Sequence, residues 1–482
     1  MLTASMSVAA GQWTQSPMNP AFLAWSAKAL VQRGQEANGG ATGELGFHAS
    51  PVRLPRYGGN PATIAGLGQE PLPQAFDLRE FRGVTSVKNQ GQCGSCWAFA
   101  AIGSLESNLK YLRQQEWNFA EQDMNKLHGF DDAECFGGDN FMAAAYLVRW
   151  AGPYAEGQVP YPYQIDETSR GSGDTMAKKK HVQEVSFLPD RSGPKDNDLV
   201  KRVIKEGGGM LAAYRHNSAY YNKDTAAYYY YGEDQPNHAI VLIGWNDNYP
   251  KERFLPPPGA QQPSGNGAFL VKNSWGGQWG KNGYFYISYY DESLSSFTAF
   301  HGVESVNNYT QSYEYDPLGW TSSLGFESKD TAWFGNIFLA SVVGSTIEAV
   351  SFYTPVVNSD YEIAIYDKVD PGNPTSGRKV GGRSGLIGLP GYHTIQLVES
   401  APVTAFKRFA VVVRLTTPGY EYPVPLETHV DGHSSAAKAA VGESFVSTDG
   451  SAWRDVVTEL DSKLIGARPN VALKAFGIKE NP

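Results

Sequence analysis

The segment QGQCGSCWAF, residues 90–99, constrains this chain most, because it holds two of only three cysteines, three positions apart. Gly94 between them permits a tight turn. From Cys96 to Leu109, apolar residues recur at the spacing of one helix face, and no proline interrupts them. The pattern predicts a turn at Cys93, followed by a buried helix that begins near Cys96.

Three interpretations of the cysteine pair follow. A zinc site needs about four ligands, and no second closely spaced Cys or His pair follows these cysteines. A redox C-x-x-C motif ends a strand of a βαβ unit, and the residues before Cys93 lack that pattern. In the third interpretation, Cys96 is a nucleophile, because the N–H groups and the dipole at a helix start favour a thiolate.

The third interpretation also assigns the other two cysteines. Cys93 lies outside the helix and is free to pair with Cys135, 42 residues further on. Closing a loop of that length stabilises a fold by about 4 kcal/mol in the chain-entropy account. One thiol then stays unpaired, as a cysteine enzyme requires.

Size and composition indicate a large globular protein with two or three domains. The chain has 482 residues, of which 41% are hydrophobic and 18% charged. A net charge of −9 gives no general attraction to nucleic acid or anionic lipid. No apolar run approaches the roughly 18 residues of a membrane span. The start, MLTASMSVAAGQW, has no signal-peptide pattern, so we expect either no export or a leader already removed.

The segment NQGQCGSCWAFA resembles the active-site segment of the papain family of cysteine peptidases. Two later segments resemble that family's other motifs, in the same order. PNHAIVLIGW places His238 at the mouth of an apolar strand, and AFLVKNSWG places Asn273 and Trp275 at the end of a short one. Taken alone, His238 also fits a buried structural histidine, and Asn273 also fits a turn before a glycine-rich loop.

The resemblance implies a Cys–His–Asn triad. Cys96 is then the nucleophile and His238 the acid and base, while Asn273 fixes the imidazole tautomer and Trp275 shields that hydrogen bond from water. The Gln90 side chain and the backbone N–H of Cys96 are expected to stabilise the oxyanion. We expect no metal site and no organic cofactor.

The resemblance also implies substrate-binding positions. Gly137 and Gly138 lie in ECFGGDNFMAAAYLVRWAG and would hold an extended substrate backbone. Asp139 replaces the aromatic residue often found next to them, so it admits a polar or basic substrate side chain or, equally well, caps the following helix. The predicted substrate-binding set, with Pro236 nearby, is Gly137, Gly138, Asp139, Asn140, Ala213, Asn237, Ala239 and Trp275.

The predicted fold is an α+β papain-like peptidase of two lobes, one helical and one β-barrel-like, followed by an all-β antiparallel sandwich. We expect an N-terminal region at 1–71, the peptidase at 72–305 and the sandwich at 306–482. Near the start, Asn19 can cap a helix and Pro20 suits its first position. Residues 1–71 are expected to be a pro-region that crosses the cleft and is later removed; the alternative is a permanent arm.

The C-terminal region has short, partly alternating strands separated by Gly, Pro and Asn turns. GYHTIQL, FAVVVRLT and ESFVSTDGSAWRDV resemble the lectin-like domain that follows the peptidase in some bacterial members of the family. Its aromatic residues are expected to bind a carbohydrate or cell-surface ligand, or else to pack on the peptidase.

Together these patterns predict a monomeric cysteine endopeptidase, secreted, periplasmic or at the cell surface, made as a zymogen and acting on polypeptides. Neither nucleic acid nor a membrane span is expected. Two other functions stay open. The triad could favour ligation or transamidation over hydrolysis, or the chain could be an adhesion or glycan-binding protein with an inhibited or vestigial peptidase half.

Overall fold

A computed structural model describes residues 12–36, 45–162, 177–254, 262–341, 345–458, 460 and 469–479. The α-helices are α1 (Pro20–Glu36), α2 (Cys96–Arg113), α3 (Glu121–Leu127), α4 (Asn140–Val148) and α5 (Asp198–Gly207). The strands of the first 305 residues are β1 (Trp13–Gln15), β2 (Ala75–Asp77), β3 (His181–Phe187), β4 (Met210–Tyr214), β5 (Tyr221–Asn222), β6 (Ala227–Tyr228), β7 (His238–Asn246), β8 (Ala268–Lys272), β9 (Tyr284–Ser288) and β10 (Ser295–Glu304).

The strands after residue 305 are β11 (Gln311–Tyr313), β12 (Ser322–Phe326), β13 (Thr331–Leu339), β14 (Ser345–Thr354), β15 (Ser359–Asp367), β16 (Arg378–Ile387), β17 (Gly391–Val403), β18 (Arg408–Thr416), β19 (Val424–Glu427), β20 (Ser444–Ser447), β21 (Arg454–Asp455), β22 (Asn470–Val471) and β23 (Leu473–Lys479). None of the described helices is long and apolar enough to cross a membrane.

Helix α2 is the buried helix that the sequence predicts. It begins at Cys96, and every residue from there to Leu109 is buried. The helix ends at Gln114, which has the left-handed backbone (φ 55°), and Lys110 and Arg113 in the last turn complement the helix dipole. Helix α2 packs against β4, β7 and β10, so its first turn lies against the start of β7.

One sheet of 13 strands runs through both halves of the chain. Its order is β11-β23-β14-β17-β3-β10-β4-β7-β8-β9-β6-β5, with β2 paired to β7. Strand β17 pairs with β3 through residues 391–393 and 184–186, which joins the C-terminal half to the first half. The described strands form an open sheet and close no barrel, so the β-rich lobe is not barrel-like.

The C-terminal half is an antiparallel sandwich, as the alternating pattern predicts. A second sheet has the order β16-β15-β18-β13-β20-β21, and a third has the order β1-β12-β19-β22. Inward-facing residues of these sheets and of β14, β17 and β23 form one core; among them are Phe334, Phe352, Ile363, Val411 and Leu473.

The N-terminal residues contact both halves. Asn19 caps α1, since its Oδ1 accepts the N–H of Ala21 at 3.1 Å. Before the helix, β1 pairs with β12, and Trp13 is buried in the core of the C-terminal half. After the helix, residues 45–48 enter the first half beside the start of α2. We call the described residues 12–36 and 45–71 the arm.

Candidate active site

Cys96 is the first residue of α2 and is completely buried. Its thiol is free, because Cys93 is joined to Cys135 by a disulfide bond. The backbone N–H of Ala239, in β7, points at the sulfur with an N–Sγ distance of 3.3 Å. The residue after His238 therefore touches the candidate nucleophile directly.

His238 and Asn273 lie together although 35 residues separate them. His238 begins β7, Asn273 follows β8, and β7 and β8 are neighbours in the sheet. The Nε2 of His238 is 2.8 Å from Oδ1 of Asn273, and the Trp275 ring stacks on the imidazole at 4.5 Å. The other ring nitrogen, Nδ1, is buried without a hydrogen-bond partner among the described residues, so it is the nitrogen available to the thiol.

Gln90 is buried beside these groups. Its Oε1 accepts the hydroxyl of Ser274 at 2.6 Å, which turns the amide N–H₂ toward the start of α2. That amide donates to the carbonyls of Cys93 at 2.9 Å and of Leu45 at 3.2 Å. The amide of Gln90 therefore lies beside the start of α2 and donates both to the arm, at Leu45, and to Cys93. Its role as an oxyanion donor stays a prediction.

Comparison with known families agrees with this geometry. Residues 72–300 match the family model described as papain family cysteine protease, and residues 312–477 match the one described as lectin like domain. The chain joins a papain-family protease domain to a lectin-like domain. The predicted boundaries at 72, 305 and 306 are not tested by these matches and stay predictions.

Curated relatives of the protease domain are cysteine proteases. The viral cathepsin of Spodoptera litura multicapsid nucleopolyhedrovirus is 31% identical over 237 residues, which are 49% of this chain and 61% of the relative. A cysteine protease of Blomia tropicalis is 29% identical over 233 residues, 46% of this chain and 63% of the relative. The chain therefore spans about three fifths of the length of these relatives.

Solved structures extend the likeness over both domains. The cysteine protease and lectin-like domains of Cwp84, a surface layer associated protein of Clostridium difficile, have a TM-score of 0.77 and 25% identity, covering 97% of this chain and 98% of that one. The clostridial protease Cwp84 after propeptide cleavage has a TM-score of 0.72 and 27% identity, covering 84% of this chain and 99% of that one. The predicted papain-like fold with a C-terminal antiparallel sandwich is confirmed.

The arm lies in the cleft of the protease domain. Phe47 forms a parallel bridge with Gly138, whose N–H donates to Gly46 at 3.1 Å and whose carbonyl accepts from His48 at 3.2 Å. The N–H of Phe47 donates to the carbonyl of Asn237 at 3.1 Å. The backbone groups at Gly138 and Asn237, two predicted substrate-binding positions, are therefore occupied by the arm.

Only glycine fits at the point where the arm crosses the start of α2. Gly46 has φ +106°, and a Cβ built there would lie 2.1 Å from the carbonyl oxygen of Gly94. Both the left-handed backbone and the close approach exclude a side chain. The arm therefore passes in backbone contact with the turn between Cys93 and Cys96.

Burial shifts the pKa values of the two candidate catalytic groups, Cys96 and His238. Burial raises the pKa of Cys96 to about 12, although the N–H groups of Ala239 and Trp97 oppose the shift. Burial also lowers the pKa of His238 to about 3, against the hydrogen bond to Asn273. Both groups are neutral here, so the predicted acidic thiol is not found in this state: desolvation outweighs the helix start.

The remaining predicted substrate-binding residues have different surroundings. Asp139 is fully buried and caps α4, since its Oδ1 accepts the N–H groups of Phe141 and Met142 at 2.7 and 2.8 Å. Asn140 donates to the Thr298 hydroxyl at 2.8 Å. Both side chains are buried in the described structure, and Asp139 Oδ2 also faces His48 of the arm at 3.9 Å. Their role in substrate binding stays a prediction. Gly137 precedes the Gly138 bridge, and the remaining members, Ala213 and Ala239, are paired with each other in β4 and β7 and buried.

Sequence reasoning missed a buried histidine of the arm. His48 Nε2 is 3.2 Å from Oδ2 of Asp132, and its Nδ1 is 3.9 Å from Asp139. The ring of Trp25 stacks on it at 3.7 Å. Nothing in the polar segment around His48 signals this burial, because its partners come from the protease domain and from α1.

Within the described ranges, no group of three or more His, Cys, Asp or Glu side chains is arranged to hold a metal ion.

Proposed function

We propose that this chain is a cysteine endopeptidase that acts through Cys96, His238 and Asn273. The single observation that carries the proposal is the free, buried thiol of Cys96 in contact with the N–H of Ala239, next to a histidine whose Nε2 is fixed by Asn273. A thiol nucleophile, a base and a group that orients the base are what nucleophilic acyl transfer requires.

Each residue then has one task. The sulfur of Cys96 bonds to the peptide carbonyl carbon while its proton passes to Nδ1 of His238, and Gln90 and the Cys96 N–H receive the oxyanion. The imidazolium gives its proton to the leaving amine, which leaves a thioester. Neutral His238 then takes a proton from water, whose oxygen attacks the thioester carbon. The C–S bond breaks, the acid is released, and Cys96 is regenerated as a thiolate beside the imidazolium of His238.

A peptide-library digest read by mass spectrometry tests the activity. Wild type is expected to produce cleaved peptides, and Cys96→Ala is expected to produce none. Ser95→Ala is the matched control, because Ser95 is the adjacent buried residue and its hydroxyl contacts Tyr161 rather than the triad. Cleavage that persists in Cys96→Ala contradicts the proposal, and joined instead of cleaved peptides would indicate ligation.

We propose further that the arm is a pro-region that is removed to open the cleft. Its support is the arm's occupation of the backbone groups at Gly138 and of the Gln90 amide. The two Cwp84 structures add to this: the form after propeptide cleavage covers 84% of this chain, whereas the other covers 97%. Incubation of the pure protein should yield a new N-terminus between residues 48 and 72. This range follows the segment of the arm that contacts Gly138 and precedes the predicted start of the protease domain. A fully active chain that keeps its arm contradicts this proposal.

We propose that the lectin-like domain binds a carbohydrate at the cell surface. Support comes from the domain match and from an open groove lined by residues 328–331 and 419–422, in which the rings of Tyr420 and Tyr422 are 5.6 Å apart. Aromatic rings next to polar side chains suit sugars, which have apolar faces and hydroxyl edges. A glycan array should show binding by wild type and loss with Tyr422→Ala, and an array without any signal contradicts the proposal.

A further inference from the structure

A second histidine lies beside the proposed active site and belongs to none of the motifs. His216 follows β4, and its ring centroid is 6.4 Å from that of His238. The ring of Trp275 contacts both imidazoles: it stacks on His238 at 4.5 Å and meets His216 edge-on at 4.7 Å. His216 is therefore part of the wall that holds Trp275 over His238.

The backbone of His216 is tied to the residue before His238. Asn237 Oδ1 accepts the N–H of His216 at 2.7 Å, and Asn237 Nδ2 donates to the His216 carbonyl at 3.3 Å. A shift of His216 would therefore be transmitted to His238 both through the Asn237 backbone and through the Trp275 ring.

Tyr214 holds the His216 ring through a buried hydrogen bond. The Tyr214 Oη is 2.9 Å from Nδ1 of His216. Burial raises the pKa of Tyr214 well above its ordinary value, so the phenol keeps its proton. The bond fixes the orientation of the ring, since a neutral phenol can donate to Nδ1 or accept from it.

The charged and titratable groups around His216 also keep the ring neutral. Burial, and then the neighbouring Arg215, lower the pKa of His216 to about 4. Arg215 is 3.7 Å from Asp234, and the ring of Tyr228 stacks on His216 at 5.5 Å. Tyr214 and His238 are the other titratable residues whose rings lie next to His216 in the described part of the chain. Among these described contacts there is no carboxylate that would favour an imidazolium at His216.

We propose that His216 is a positioning residue of the protease: a neutral imidazole that holds Trp275 against His238 and keeps a second positive charge away from it. The inference rests on the proposed function, in which His238 must carry a proton as an imidazolium. A like charge within a few ångströms disfavours that form. A charge at position 216 is therefore expected to change the pH range over which Cys96 and His238 form a thiolate–imidazolium pair, whereas the uncharged His216 leaves that range in place.

The test places a permanent charge at this position. In the chain from which the arm has been removed, we compare wild type, His216→Lys and His216→Gln by the pH dependence of Cys96 alkylation with iodoacetamide. The alkylation profile has an acid limb, where the Cys96 thiolate forms, and an alkaline limb, where the His238 imidazolium loses its proton. His216→Lys is expected to move both limbs to lower pH by about one unit, because its charge favours the thiolate and disfavours the imidazolium. His216→Gln, which is uncharged and can still form a hydrogen bond with Tyr214, is expected to keep the wild-type limbs.

Asn307→Lys is the matched control, since it adds the same charge at an exposed position after β10. It is expected to leave both limbs in place. Should His216→Lys not fold, as judged by its melting temperature, His216→Arg carries the same charge. Unmoved limbs in the charged variant, or an equal shift in Asn307→Lys, overturn the inference.

The readout separates this inference from the proposed function, because alkylation needs no peptide substrate. In one outcome, the wild type shows the alkylation profile of a thiolate–imidazolium pair, His216→Lys shifts that profile, and no peptide is cleaved. This outcome overturns the endopeptidase proposal and supports the inference. A wild type that cleaves peptides but shows no shift in His216→Lys overturns the inference and supports the endopeptidase.

Discussion

At the scale of single residues, burial decides the chemistry. The same Cys96 that the helix start would acidify has its pKa raised to about 12, because the described structure leaves it no solvent. His238 is neutral for the same reason. In the proposed mechanism, the pair becomes reactive when the arm leaves, water enters and the thiolate can form beside the imidazolium. The reactivity of this thiol is thus a property of the state of the cleft.

His48 gives the arm a pH-dependent attachment. Burial acts to lower the pKa of His48, but the hydrogen bond with Asp132 and the charges of Asp132 and Asp139 outweigh it and raise the pKa above 6.5. Because the pKa is higher in the docked state, this stabilisation is fully present below about pH 6.5 and is lost as the pH rises through the raised pKa.

We therefore expect the arm to be held more tightly at about pH 6.5 than at about pH 9. The measurement is the hydrogen-exchange protection of the amides of residues 46–48, corrected for the intrinsic rate at each pH. His48→Gln is expected to lower the protection at the lower pH and to remove most of the difference. The same pH dependence in His48→Gln contradicts the assignment.

At the scale of elements, backbone contacts and buried ion pairs hold the arm and the helices in place. The arm adds a strand to the lectin-like domain through β1 and passes the start of α2 at Gly46. On the other side of α2, Lys88 pairs with Glu106 of α2 at 2.9 Å and with Glu121 of α3 at 2.6 Å. These contacts fix elements that the chain order separates.

Gly46→Ala is expected to displace the arm from the cleft, because the added methyl group would overlap the Gly94 carbonyl. In the unprocessed chain, Cys96 should then be alkylated at least about tenfold faster than in wild type, a change equivalent to about 1.4 kcal/mol in the opening equilibrium. Gly58→Ala is the control, since nothing lies within 4 Å of its added Cβ. Equal alkylation in the two variants argues against the arm as the cover of the thiol.

Lys88→Met is expected to destabilise the protease domain by up to about 3–5 kcal/mol, because it removes the cation that pairs directly with Glu106 and Glu121 and leaves them the weaker, indirect interaction with Lys272. The comparison is Lys110→Met, which breaks a pair with Glu116, a side chain 70% exposed, and should cost less than about 1 kcal/mol. Urea unfolding followed by fluorescence measures both. If the free energy of unfolding of Lys88→Met falls by less than about 1 kcal/mol, the carboxyl groups of Glu106 and Glu121 have formed other pairs or become protonated.

At the scale of the whole molecule, the shared sheet couples the two domains. Strand β17 of the lectin-like domain pairs with β3 of the protease domain, and Tyr353, Tyr392 and Trp320 are members of the protease core cluster. The arm adds a further link, with Trp13 in one core and Phe47 in the other. The protease core therefore includes residues of the lectin-like domain, and the arm reaches both cores.

We expect the full chain to unfold in one cooperative calorimetric transition. Gly391→Ala should lower its midpoint, because the new Cβ would be 1.9 Å from the Val185 carbonyl and would separate β17 from β3. The loss should be about 1–3 kcal/mol and should appear in probes of both domains. Gly193→Ala, with open space at its Cβ, should leave the transition unchanged. Two separate transitions in wild type contradict the coupling.

The sequence by itself determined the features that depend on local pattern. The apolar spacing after Cys96 predicted α2, Asn19 and Pro20 predicted the start of α1, and the alternating segments after residue 305 predicted strands. Periodicity and capping act over a few residues, so a linear sequence carries them in full. The motif resemblance added the candidate triad, whose members the structure brings into one site.

Only the tertiary structure decided the features that arise from contacts between distant segments. The neutral state of Cys96, the buried pair of His48 with Asp132, the position of His216 against Trp275 and the sheet shared through β17 and β3 all join residues far apart in the chain. Asp139 shows the limit most clearly, because the same carboxylate could line a pocket or cap a helix. Burial and close approach depend on which segments meet, and a local pattern does not contain that information.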